Sequence, residues 1–137
     1  TALYKASEIL KAGRLVSLAD QSLGSDSSNF LEVGYYIPTS TSTNASIVPI
    51  GITQNNCAAG EKVTVCTLGF TSVISNADAT PERGSVVLAA NSQSSGIVRT
   101  GIAATATQSR IGFVAQSDAS ASDEPILIYY SGFYQAT

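Results

Sequence analysis

"IGITQNNCAAGEKVTVCTLGF", Ile50 to Phe70, can be laid over "IGFVAQSDASASDEPILIYYSGF", Ile111 to Phe133, with two extra residues in the second stretch. Both run Ile-Gly, an alternating strand, Gln, a polar turn, Glu, a second strand and Gly-Phe. The match extends upstream, where "KAGRLVSLAD" at 11–20 parallels "ERGSVVLAAN" at 82–91, each a turn glycine followed by an apolar strand. Self-similarity of this kind marks a duplicated supersecondary unit, and a duplicated unit decides how the rest of the chain is read. Two related β-units follow, about 12–74 and 83–137, joined through "SNADATPERG". Gly13 and Gly51 are further apart than Gly84 and Gly112, so the first unit carries about ten more residues. The polar, turn-rich segments 19–29 and 38–46 accommodate them as exposed loops.

Period-two alternation with β-branched residues, broken by Gly, Asn, Asp, Pro and Ser, recurs along most of the chain. Strands are expected near 14–19, 30–37, 46–53, 62–68, 70–75, 85–90, 96–103, 110–116, 124–130 and 132–135. The fold class is therefore all-β, a small β-barrel or sandwich in which the two units bury their apolar faces on each other. "SEILKAG", with Ser7 as a start cap and Gly13 as a stop, is the one helix candidate, and a turn leading into the first strand reads equally well. Gly51 and Gly112 sit where a strand begins or bulges, Gly60 supplies a turn, and Gly69 and Gly132 break strands before Phe70 and Phe133, which read as equivalent core plugs.

With 137 residues the chain is one domain. Charged residues are 12% of it and the net charge is −3, a balance that suits packing against other proteins better than phosphates or anionic lipid. The seven Lys and Arg are scattered, so no nucleic-acid partner is expected. Apolar runs fall far short of a membrane helix and no signal-peptide core opens the chain, so no membrane partner and synthesis in a cytoplasm are expected.

Chemistry is sparse. There is no histidine, which removes Ser-His-Asp and Cys-His nucleophile systems. The acidic pairs Asp78 with Glu82 and Asp123 with Glu124 lie beside turn signals and read as solvated turn acids, and Glu61 and Glu124 fall at equivalent points of the repeat. No catalytic, cofactor-binding or metal-ligating residue is assigned, and no enzyme activity or cofactor is expected. "NAS" at Asn44 matches a glycosylation sequon and, with no signal peptide expected, reads as a chance match. Cys57 and Cys66 are either two free thiols or a disulfide across the turn between them, and structural in both cases.

"EPILIYY" departs from clean alternation. Ile126, Ile128 and Tyr130 share one face, Leu127 and Tyr129 the other, and both faces are apolar. In "VGYYIP" Tyr35 and Tyr36 must likewise point in opposite directions. Strands apolar on both sides predict a subunit interface at Tyr35, Tyr36, Leu127, Tyr129 and Tyr130, and hence a homo-oligomer.

With the repeat in view, "ASEILKAGRLVSLAD", "IGITQNNCAAGEKVTV" and "ATPERGSVVLAANSQSSGIVRT" followed by "QSRIGFVAQS" resemble the capsid decoration, or cement, proteins of tailed bacteriophages over nearly the whole chain. The resemblance implies a virion protein on the capsid exterior, commonly a homotrimer, that binds the major capsid protein and bridges adjacent capsomers. It also implies an extended N-terminal arm, residues 1–11, ahead of a single β domain at 12–137. Leu3, Tyr4, Lys5, Ile9, Leu10 and Lys11 would make the arm's capsid contacts. The alternative reading is a tail-fibre or adhesin-type module recognising host surface glycans through its loops and tyrosines.

Overall fold

The computed structural model describes residues 1–19, 31–36, 49–77, 82–89, 96–100, 109–116 and 124–135. Nearly all of loops 19–29 and 38–46 lies outside the described residues, as do Asn44, Asp78 and Asp123. The chain is all-β and is built from two related units, each closed into a five-stranded barrel.

The first barrel contains β1 (Ala2–Ala6), β2 (Leu15–Leu18), β3 (Glu32–Tyr35), β4 (Pro49–Thr53) and β5 (Lys62–Cys66) in the spatial order β1-β3-β2-β4-β5. The second contains β6 (Gly69–Ala77), β7 (Val86–Ala89), β8 (Val98–Thr100), β9 (Ser109–Gln116) and β10 (Glu124–Gln135) in the order β6-β8-β7-β9-β10. Both rings use one parallel pair, β1 with β3 and β6 with β8, and are otherwise antiparallel. Closure leaves strands this short with no free edge to template association.

The pairing register repeats between the barrels. Ile52 faces Cys66 and Leu15 on its two sides, and Phe113 faces Tyr129 and Val86. Thr53 faces Val65 as Val114 faces Ile128. β2 slips by one residue against β4 between Val16 and Ser17, and β7 slips against β9 between Val87 and Leu88. Gly13 and Gly84 then donate to the carbonyls of Thr53 and Val114 at 2.8 and 2.7 Å. The interiors are lined by matching side chains, Val16, Val33, Val63 and Val65 in one and Val87, Val98, Ile126 and Ile128 in the other, all buried.

The structure moves the unit boundaries. Ala2–Ala6 is not an arm: Ala2 to Lys5 pair antiparallel with Val65 to Lys62, and Lys5 and Ala6 pair parallel with Glu32 and Val33. It is a barrel stave because β5 and β3 would otherwise each present an open edge. Likewise β6, read as the tail of the first unit, opens the second and pairs with β8 and β10. The boundary between units thus falls just before Gly69, not in "SNADATPERG". No helix forms at "SEILKAG": Leu10 and Cys57 exchange backbone bonds in an antiparallel bridge, and the Thr53 hydroxyl donates to the Lys11 carbonyl and accepts from the Arg14 N–H. The strands expected at 124–130 and 132–135 are one, β10, which continues to Gln135 past a register shift between Tyr130 and Tyr134.

The turn of "CAAGEKVTV" is held both from within and by β1. The Glu61 carboxylate accepts the Ala58 N–H at 2.7 Å, and the Gly60 N–H reaches the Ala6 carbonyl at 2.8 Å. Glu61 is thus a structural acceptor. Glu61→Ala is expected to lower stability by about 0.5–1 kcal/mol, while Glu61→Gln keeps an acceptor and most of the stability. Urea midpoints of the two variants check this, and equal losses would show that the acceptor is not what holds the turn.

Candidate interaction surface

The described residues hold no cluster of His, Cys, Asp and Glu able to bind a metal. Both cysteines are free thiols, Cys66 buried and Cys57 half-buried, and burial is the main force pushing the Cys57 thiol pKa up. The features with something to offer a partner are faces of the barrels.

Of the residues assigned to capsid contact, Leu3, Ile9 and Lys11 carry exposed side chains. Tyr4 packs half-buried on the core of the first barrel, and Leu10 is buried within it. Lys5 forms an ion pair with Glu32 at 3.7 Å along the β1–β3 seam. Of the residues assigned to a subunit interface, Tyr36 and Tyr130 are buried inside the chain, where burial raises both phenol pKa values, with the nearby Cys66 adding to the push on Tyr130. They cannot meet a partner. Their direction follows from the pleat, since their neighbours Tyr35 and Tyr129 take the other face. The Tyr35 hydroxyl accepts the Lys11 N–H at 2.9 Å, so that tyrosine is engaged within the first barrel.

Leu127 and Tyr129 remain on the outer face of β10, and there they have company. Tyr129 lies directly across from Phe70 on one side and Phe113 on the other, and Phe113 lies across from Val86. The Phe70 and Tyr129 rings meet edge to face at 5.0 Å, and Phe113 stacks on Tyr129 at 5.4 Å. A row of apolar side chains therefore crosses four strands of the second barrel, with Phe70 64% and Phe113 43% exposed. Phe70 is part of this row rather than a core plug. Beside it lies a shallow groove of about 390 Å³ lined by Val86, Arg110, Gly112, Phe113 and Ser131. An exposed aromatic row of this kind is unusual for a protein surface.

The equivalent row of the first barrel is Leu15, Ile52 and Cys66, and all three are buried. Leu15 and Ile52, with Tyr36, share a core with Val73, Val98, Ile111 and Tyr130 of the second barrel. The joint between the barrels is made by backbone as well: Ile74 N–H donates to the Gly13 carbonyl and Leu15 N–H to the Gly96 carbonyl, each at 2.8 Å. The Gln54 amide donates to the Thr71 hydroxyl at 2.7 Å. One outer face is thus covered by the neighbouring barrel, and its counterpart is open.

These features define a tandem-barrel protein with a duplicated, once-occupied contact face. No protein-family model and no curated protein sequence matches the chain. Among solved structures it is similar to the N base of head fiber gp8.5 of bacteriophage phi29, with a TM-score of 0.61, 12% identity, and coverage of 95% of this chain and 92% of that one. At that identity the likeness establishes the shared fold.

Proposed function

We propose that the chain is a structural protein of a tailed-phage virion, carried on the outside of the head as a homotrimer that contacts the major capsid protein and bridges adjacent capsomers. Its role is mechanical and requires no cofactor. The observation that carries this reading is the likeness, over nearly the full length of both chains, to the base of a phage head fiber. The sparse charge and the open apolar row are what a protein that works by contact needs. With β1 built into the barrel, the capsid contacts are reassigned to Ile9 and Lys11, both exposed on the connection between β1 and β2.

Purified protein added to phage heads that lack it is expected to bind saturably, in fixed ratio to the shell protein, and to raise the temperature at which the heads rupture. Ile9→Asp with Lys11→Glu is expected to weaken this binding without changing the fold. Absence of saturable binding to heads would sink the reading. Deleting residues 1–10 is not a usable test, because it removes a stave of the first barrel.

A further inference from the structure

We propose that copies of this chain join head to tail, the open aromatic row of one second barrel receiving the β1–β3 side of the first barrel of the next copy. Such a contact follows from the duplication, wherever the protein works.

Within the chain, the outer face Leu15, Ile52 and Cys66 of the first barrel is covered by the second, which brings up the β6 backbone at Ser72 to Ile74 and Gly96 just ahead of β8. A Cβ on Gly13 would lie 3.5 Å from atoms of Ser72, Val73 and Ile74, and Gly96 approaches Leu15 too closely to carry one. Through the shared register, Ser72 corresponds to Leu3 and Gly96 to Leu31. The surface of the first barrel equivalent to the one already used by the second is therefore available, and it carries two leucines, 45% and 54% exposed. Opposite it in the proposed contact stands the row Val86, Phe113, Tyr129 and Phe70, equivalent to the face already covered.

The two halves of the contact differ from their internal counterparts in one consistent way. Inside the chain the joint is close and partly backbone, with the β6 main chain against Gly13 and Gly96 against Leu15. Between copies the two backbone bonds are not both available, because the Lys5 N–H, equivalent to that of Ile74, already donates to the Leu31 carbonyl at 2.9 Å. Large side chains on both surfaces, Leu3 and Leu31 against the aromatic row, supply area in place of those bonds. Because the two surfaces are different, the contact is heterologous: it closes into a ring or runs on as a filament, and it cannot stop at a symmetric dimer.

The test is the mass of the full chain in solution, without heads, so that its outcome is separable from capsid binding. The wild type is expected to be larger than a dimer at micromolar concentration. Phe70→Glu with Phe113→Glu blocks the row, and Leu3→Glu with Leu31→Glu blocks the opposite side. Each variant alone is expected to fall to a monomer with unchanged circular dichroism. An equimolar mixture of the two is expected to form pairs of one copy each and nothing larger, since just one competent contact remains. Serine at the same positions serves if glutamate disturbs the barrel. A wild type that stays monomeric, an oligomer untouched by either pair of changes, or a mixture that forms no pairs would overturn the proposal.

Discussion

Alanine at Gly112 is expected to cost the fold about 3 kcal/mol or more, far beyond what a single methyl on a strand usually does. Gly112 lies where three strands converge, paired with Tyr130 on β10 and with Val87 on β7 beside the register slip. A Cβ there would sit on the Tyr129 carbonyl oxygen, inside any tolerable contact. That oxygen belongs to the backbone and cannot swing away, so β9 must separate from β10 or the barrel must open. Gly51 is in the same position on the first barrel, its Cβ colliding with the Cys66 carbonyl and the Val65 side chain, and a similar loss is expected at Gly51→Ala. Gly60 supplies the comparison, because its φ of +86° is unfavourable for alanine but no atom lies within 4 Å. Gly60→Ala should therefore cost about 1–2 kcal/mol from backbone conformation alone. Urea unfolding of the three variants should rank Gly112 and Gly51 well above Gly60. Equal losses at all three would mean that conformation, not the approach of β10, is why glycine stands at the repeat.

The register of the duplication was legible in the sequence down to single residues, because the constraint at Gly51 and Gly112 is steric and leaves a glycine as its mark. Aligning Gly51 with Gly112 and "TVCTLGF" with "LIYYSGF" already pairs Cys66 with Tyr129, the two residues whose carbonyls press on those glycines. The ends of the units were harder to read. β1 shows no alternation in "ALYKA", since Tyr4 and Lys5 are both half-buried, and what makes it a strand is pairing with β5 and β3, far along the chain. Periodicity reports local burial and carries no information about such closure. β6 was assigned to the wrong unit for the same reason: it follows β5 almost at once, but its partners are β8 and β10. The contact surface was half legible. Two apolar faces on "EPILIYY" flagged Tyr129 and Leu127, but Phe70 and Phe113 join them from strands that the pleat alone does not relate to β10.

The second large effect is expected at Ile52→Ala, which should lower stability by about 2–5 kcal/mol and should weaken the second barrel as well as the first. Ile52 is fully buried on the outward face of β4, and the core it joins is mostly that of the other barrel, with Val73, Val98, Ile111 and Tyr130. Removing its branched chain leaves a void at the joint, so amide exchange should rise in β8 and β10 together with β4, and the chain should still unfold in one transition. Phe113 holds the equivalent place in the second barrel, yet it is partly exposed and its ring stacks on Tyr129 at the surface. Phe113→Ala should therefore cost a dilute, monomeric sample about 0.5–1.5 kcal/mol, the worth of that aromatic pair. If copies join through the aromatic row, that cost grows as concentration rises and the wild type gains stability from assembly that the variant loses. The loss at Ile52→Ala keeps its size at every concentration, because its partner barrel is tethered to it. Faster exchange confined to the first barrel, or a cost at Phe113→Ala that stays flat with concentration, would separate the two faces that the duplication makes equivalent.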